Sequence, residues 1–378
     1  MKQKLDYAAR ARRVALSHPR FTFISIQVNF WILAYLFLSL ILYLSSRAFA
    51  SGLEVAIKIP FFPSVVLSVF SGIVFGSASG AIDLLLEKSV FRGRSLGLTI
   101  VVQVFSYFAI IVLIMMMLRF VFWESILVPY VFGGVSPIRD DMMWRYFSNL
   151  LLSYTFVMTI VISFVNQMNR QFGPGILIPL MMGKYRKPKE ERRIFMFMDL
   201  KSSTSHAERL GHLTYSAMIR DCFLDINRVL SKHHAEIYQY VGDEIVLSWS
   251  LTEGLHKLTC IRFFFGCQSQ LRQRRNYYMK MYGFVPEFKA GVHVGVVTAV
   301  EVGEVKRNIA YHGDAINTAA RIQSVCNKYN KEILVSGDLA SLADFQNGFR
   351  LESLGGVLLK GKDAATEIFS VEEIEGLA

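Results

Sequence analysis

Charge is scarce in the first half of this 378-residue chain. Between residues 21 and 166 Asp, Glu, Lys and Arg are missing over long runs, whereas residues 184–378 carry the charge of an ordinary globular domain. Cysteine is scarce as well: Cys222, Cys260, Cys267 and Cys326 all lie in the second half, and none forms a CxxC pair. That excludes a disulfide framework and a ribbon-type zinc site, and it reads as reduced cytosolic thiols. No small-residue cleavage pattern follows the first apolar run, and the basic, polar residues 1–20 precede it, so a signal peptide is not expected. Acidic residues do not balance the basic ones, and the formal net charge is +11. Lys2, Lys4, Arg10, Arg12, Arg13 and Arg20 stand before the first apolar run, and Lys184, Arg186, Lys187 and Lys189 after the last. Such placement is what the positive-inside bias and anionic lipids favour, so topology accounts for the charge and no nucleic-acid partner is expected.

What is present in the first half is apolar sequence. A bilayer core of ~30 Å takes roughly 20 residues of helix. Four stretches meet that length: Phe21–Leu44, Ile59–Leu86, Leu96–Trp123 and Tyr146–Val165. Lys88, Arg92 and Arg94 make the second connection basic, while Glu54, Glu124, Asp140 and Asp141 offset the basic residues of the first and third. Placing the richer segments inside puts both termini in the cytoplasm. Asp83 and Glu87 sit near a helix end, where snorkelling is expected and no ion pathway is implied. The organisation is thus a basic cytoplasmic N-terminus (1–20), a four-helix transmembrane domain (21–166), a juxtamembrane linker (167–192) and a soluble domain (193–374). Within the linker, Gly173, Pro174 and Gly175 break any helix running on from the membrane.

The soluble half alternates strand and helix signals. Ile194–Met198 reads as an apolar strand, and a helix follows from about Ser205. Glu236–Val241 and Glu244–Trp249 alternate around Gly242-Asp243 as a hairpin. A helix to about Arg274, strands from Phe288 and Arg307, a helix from Asp314 and three closing strands complete an α+β sandwich of ferredoxin-like type.

Two carboxylates stand out. Asp199 ends the first strand and Asp243 sits at the hairpin tip. Each alone would pass for a turn former. If their strands are neighbours, both converge on one point, and paired carboxylates with substrate phosphates are the usual way to hold Mg²⁺ or Mn²⁺. Two such ions acidify an attacking hydroxyl and neutralise leaving phosphates. After Asp199, Ser202, Ser203 and Thr204 open a helix whose free N–H groups and hydroxyls could cradle a triphosphate. Asn317 and Arg321 are four apart, hence on one helix face, which is either a solvated surface or a ribose and phosphoryl clamp.

Taken in order, Phe197-Met198-Asp199 with Ser203-Thr204, Glu208 and Gly211, then Val241-Gly242-Asp243-Glu244, Gly291-Val292-His293-Val294-Gly295, Gly313-Asp314 to Arg321, and Leu359-Lys360-Gly361-Lys362 resemble the class III adenylyl/guanylyl cyclase catalytic domain over residues 193–374. The resemblance implies Asp199 and Asp243 as ligands of two Mg²⁺ or Mn²⁺, Asn317 and Arg321 as transition-state residues, and Lys360 as a phosphate contact. It also implies a head-to-tail homodimer acting on ATP or GTP, with the ribose 3′-OH attacking the α-phosphate. Base choice in that family rests on two positions, occupied here by Gln239 and Ala310 in place of the usual Lys or Glu and Asp, Thr or Cys. Gln offers a donor and an acceptor and Ala neither, so ATP is expected on the family's tendency and GTP stays open. A diguanylate cyclase, suggested by Val241-Gly242-Asp243-Glu244-Ile245, lacks the Ser-Ser-Thr turn and the Asn317/Arg321 helix. A nucleotide-binding subunit without catalysis is the other alternative. His293 and the His233-His234 pair are expected to be structural, as are Tyr277, Tyr278 and Phe263–Phe265.

Overall fold

A computed structural model describes residues 19–53, 61–89, 96–116, 141–172, 183–304, 307–345, 348–362 and 364–374. The chain divides into two compact units, Met1–Leu177 and Ile178–Ala378. The expected Gly-Pro-Gly break at 173–175 lies outside the described residues.

The first unit is helical: α1 (Pro19–Leu53), α2 (Phe61–Ser89), α3 (Leu96–Met116) and α4 (Asp141–Phe172). Three stretches are long and apolar enough to cross a membrane, Phe21–Ser51, Phe61–Leu85 and Trp144–Met168. The apolar stretch of α3, Val101–Met116, is shorter, and the end of the expected third span, residues 117–123, lies outside the described residues. So the described helices support three spans where four were expected. The unit carries apolar side chains outside as well as inside. Leu33, Phe37, Leu67, Phe70, Phe105, Leu113 and Phe164 face outward, while Trp31, Phe75 and Tyr107 share the interior with Gln27, Ser79, Asp83, Gln103, Thr155, Thr159 and Ser163. Backbone groups are satisfied within each helix, so the outer face can be wholly apolar.

The α1–α2 contact is made by glycines one turn apart. A Cβ on Gly72 would lie 2.5 Å from Cα of Ile32, and one on Gly76 2.6 Å from Cα of Val28. Small residues at this spacing let two helices pack backbone to backbone.

Asp83 corrects one expectation. It does not snorkel at a helix end but is fully buried in the bundle. Its carboxylate accepts from Tyr107 Oη at 2.6 Å, Gln103 Nε2 at 3.0 Å and Gln27 Nε2 at 3.3 Å. Linear spacing showed a residue near the end of an apolar run; the facing amides and phenol come from two other helices.

The second unit is one eight-stranded sheet with helices on both faces. Its elements are β1 (Lys189–Leu200), α5 (Ser203–Leu230), β2 (Glu236–Val241), β3 (Glu244–Ser250), α6 (Thr259–Gln273), α7 (Arg275–Tyr282), β4 (Phe288–Val302), β5 (Asn308–His312), α8 (Asp314–Ser324), β6 (Ile333–Ser336), β7 (Phe349–Val357) and β8 (Thr366–Glu373). The order β2-β3-β1-β4 is that of a ferredoxin-like βαββαβ core, and β6, β8 and β7 extend it past β4, with β5 pairing β4 separately. Side-chain alternation in β1 assigns the faces. Ile194, Met196, Met198 and Leu200 meet Met218, Cys222 and Ile226 of α5 and Phe263, Phe264 and Cys267 of α6. Phe195 points the other way, onto Ala315 and Ala319 of α8. The sheet therefore has helices on each face, α8 lying opposite α5 and α6. All four cysteines are free and buried.

Behind the sheet, α5 is tied to α7 by buried charge. Asp225 is fully buried and accepts from Tyr278 Oη at 2.6 Å and Arg274 Nη1 at 2.7 Å. Asp221 accepts from Tyr277 and Tyr282. The aromatics are structural, as expected, and their hydroxyls satisfy carboxylates that burial would otherwise penalise.

Candidate active site

Three carboxylates meet where β1 ends and the β2–β3 hairpin turns. Asp199 is the penultimate residue of β1 and is paired across the ladder with Glu244 of β3. Asp243 is the turn residue next to it. Gly242 precedes with φ 61°, a left-handed conformation that glycine adopts without a Cβ clash. On the other side of β1, Asp199 is in register with Lys289 of β4. The ammonium of Lys289 lies 3.3 Å from Asp199 Oδ2, and Gln323 of α8 donates to the same oxygen at 3.1 Å.

The electrostatics follow from crowding like charges in a half-buried corner. Burial first, then the charge of Asp243, pushes the Asp199 carboxyl upward, while Lys289 and Gln323 oppose the rise. Glu244 is pushed up to about 7 by burial and by Asp199 and Asp243. Tyr215 of α5 is pushed up to about 12 by burial and by the charge and hydrogen bonding of Asp243, with Ser203 on its other side. One phenol thus stands between the Ser-Ser-Thr turn and the hairpin tip. Beside it, Ile219, Phe223, Asn227 and Gly242 line an open cleft of about 490 Å³.

The corner suits a divalent cation. Asp243 Oδ2 is buried and has no hydrogen-bond partner, and a buried carboxylate oxygen so placed calls for a cation or donor. Among the described residues no group of three or more His, Cys, Asp and Glu is placed to hold a metal ion, so Glu244 does not add a third ligand to Asp199 and Asp243. Two protein carboxylates with the remaining positions filled from substrate is the pattern of a magnesium site.

The phosphate-turn residues are close by. Ser202 precedes α5 with φ 54°, and its carbonyl accepts from His206 N. Helix α5 is broken at Gly211 (φ 72°), so Ser203–Leu210 forms a separate short segment over the carboxylates' strand end.

The residues of α8 form a second cluster. Asp314 gathers Lys362 Nζ at 2.6 Å, Thr318 Oγ1 at 3.1 Å and Arg321 Nη1 at 4.0 Å. Gly361, with φ 73°, turns the chain beside the Arg321 guanidinium. Lys362 holds the Asp314 carboxyl below its usual range. Asn317, one turn before Arg321, is exposed, as is Lys360. Among the described residues neither Asn317 nor Arg321 is hydrogen-bonded to Asp199 or Asp243, and it is Gln323 of α8 that reaches Asp199. Gln239 is exposed beyond a bulge in β2, and Ala310 lies opposite Val300 in β5. Their chain neighbours Tyr238 and Tyr311 meet with ring centroids 5.1 Å apart, which brings the two strand segments side by side. His293 donates to or accepts from Ser336 Oγ at 2.8 Å and is a structural strand residue, as expected.

Sequence reasoning missed Lys289, Gln323, Glu244 and Tyr215. Glu244 was visible as the residue after Asp243. Lys289 and Gln323 depend on strand register and helix placement, for which spacing along the chain carries no signal.

The profile of the adenylate and guanylate cyclase catalytic domain matches residues 186–372. Adenylate cyclase 2 of Rhizobium meliloti (strain 1021) is 32% identical over 245 residues, covering 65% of this chain and 67% of that protein. Adenylate cyclase 1 of the same organism is 26% identical over 182 residues, covering 47% of this chain and 27% of that one. Among solved structures, the adenylyl cyclase CyaB from P. aeruginosa matches at 17% identity and a TM-score of 0.43, over 51% of this chain and 99% of that chain.

Proposed function

The chain is a class III nucleotide cyclase, a member of the adenylate and guanylate cyclase family, and from that premise we propose that it converts ATP to 3′,5′-cyclic AMP and pyrophosphate at a membrane. The observation that carries the proposal is the corner of Asp199 and Asp243, with its partnerless, buried Asp243 oxygen. Asp199 and Asp243 would hold Mg²⁺ or Mn²⁺, which when bound acidifies the attacking hydroxyl and neutralises phosphate charge. Ser202, Ser203 and Thr204 present hydroxyls and helix N–H groups to the triphosphate, and Lys360 supplies a phosphate contact. The ribose 3′-oxygen forms a bond to the α-phosphorus, the bond to pyrophosphate breaks, and the hydroxyl proton leaves to solvent. Asn317 orients the ribose, and Arg321 stabilises charge on the phosphoryl group in flight.

That among the described residues Arg321 pairs with Asp314 and neither it nor Asn317 bonds to Asp199 or Asp243 supports a head-to-tail homodimer in which they serve the partner's site. Gln239 and Ala310 face the base. Gln239 can accept from the adenine amine and donate to a ring nitrogen, and Ala310 only makes room. The outward-facing apolar side chains of the helical unit support a membrane location, and with α3 counted as a fourth span the Lys and Arg of the flanking segments would put both termini and the catalytic unit in the cytoplasm.

The test is a product assay by mass spectrometry on the purified full chain, with Mn²⁺ or Mg²⁺ and either ATP or GTP. Cyclic AMP from ATP is expected, with Asp199→Ala and Asp243→Ala each at least ~10²-fold slower, the usual scale for losing a charge-stabilising group. Cyclic GMP from GTP alone would reassign the base. No cyclic product from either nucleotide would overturn the proposal.

A further inference from the structure

The carboxylate corner has its own cation. Lys289 Nζ lies 3.3 Å from Asp199 Oδ2, and its side chain is only 12% exposed. Strand register holds the two residues opposite each other, since Asp199 and Lys289 are ladder partners of β1 and β4. The second polar contact of that oxygen is the neutral amide of Gln323 at 3.1 Å. Lys289 is therefore the charge that offsets Asp199, while Asp243 keeps one buried oxygen without a partner. Like charges crowded at low solvation repel strongly unless a counter-charge is present.

We infer that Lys289 is a tethered counter-ion of the divalent-cation site: it neutralises Asp199 when no cation is there, and it must swing off Asp199 before a cation can take that oxygen. This rests on the reading of Asp199 and Asp243 as cation ligands. A lysine suits the part because its charge sits on a flexible four-carbon stem and makes no bidentate lock. The ammonium and the cation compete for the same oxygen, so Lys289 sets how tightly the site holds a cation in the absence of nucleotide. It is a positioning residue, acting through Asp199.

The test follows Mn²⁺ binding to the full chain in detergent, without nucleotide, by loss of the free-ion paramagnetic resonance signal. Lys289→Gln is expected to bind Mn²⁺ about fivefold more tightly than the wild type, the scale of one ion pair. Lys289→Met, which keeps much of the stem, serves as a second neutral variant should Lys289→Gln not fold. Lys289→Arg should bind Mn²⁺ as the wild type does. Equal or weaker binding by the neutral variants would overturn the inference. Asp199→Ala separates the two layers of argument. If it leaves Mn²⁺ binding unchanged, Asp199 is no ligand and the functional reading falls with the inference. If it abolishes the site while neutral variants bind no tighter, only the counter-ion role falls.

Discussion

Buried carboxylates in this chain differ by what faces them. Asp225 meets Arg274, Arg228 and the Tyr278 phenol at 2.7, 2.8 and 2.6 Å, a paired charge that ties α5 to the helix behind it. Asp83 meets two amides and a phenol. Asp199 meets a lysine, an amide and a second carboxylate, Asp243, whose Oδ2 is buried without a hydrogen-bond partner. Histidines show the same dependence on surroundings. Packed against Phe263 and Gly266, His233 is pushed down to about 4 by burial and by the charges of Lys232, His234 and Arg262. The folded state then favours the neutral ring, and between pH 6.5 and about 4 the unfolded chain binds more protons. Stability contributed by the neutral ring is full above 6.5 and lost on acidification through that window. His293, lowered by burial, adds in the same direction. Thermal melts of the full chain should show the melting temperature falling from pH 7 to pH 5, and His233→Gln should fall less steeply. Parallel slopes would show that His233 does not titrate in folding.

At the scale of elements, glycines decide how closely helices approach their neighbours. Gly291 in β4 lies under α8, where an added Cβ would sit 2.2 Å from the backbone nitrogen of Gln323. Gly295 faces Ala315 in the same way. The close approach lets Gln323 reach Asp199, so α8, with Asn317 and Arg321, is seated by β4. Gly291→Ala should lift α8 and destabilise the catalytic unit by at least about 1–3 kcal/mol, the range for overpacking a tight interface. Cyclase activity should fall more than stability alone would explain. A melt and an assay that both match the wild type would mean α8 tolerates displacement. The motif glycines of Gly-Val-His-Val-Gly are thus explained by packing, whereas Gly242 and Gly211 are explained by positive φ.

For the whole molecule, the proposed shared site has a stoichiometric consequence. Asp199→Ala and Asn317→Ala chains are each expected to be inactive alone. Co-expressed in equal amounts, about half of the dimers would be mixed, and each would rebuild one of two sites. Activity should therefore recover to about a quarter of the wild type. If the mixture stays inactive while both variants fold and associate, Asn317 works within its own chain.

Composition and periodicity alone determined much of this protein. The apolar runs of the first half, the strand–helix alternation of the second and the hairpin around Gly242-Asp243 are local patterns; each apolar run overlaps an observed helix, and the hairpin strands lie where the alternation put them. The candidate site residues Asp199, Asp243, Asn317 and Arg321 could be named for the same reason, because they occur in short contiguous segments. What only the tertiary structure decided is who faces whom. Register between β1 and β4 set Lys289 on Asp199. Packing of α8 on the far face of the sheet brought Gln323 to the same oxygen. Assembly of three helices buried Asp83, which the linear pattern had placed at a lipid boundary. A charge's partner is fixed by distances between segments remote in the chain, and chain order does not encode those distances.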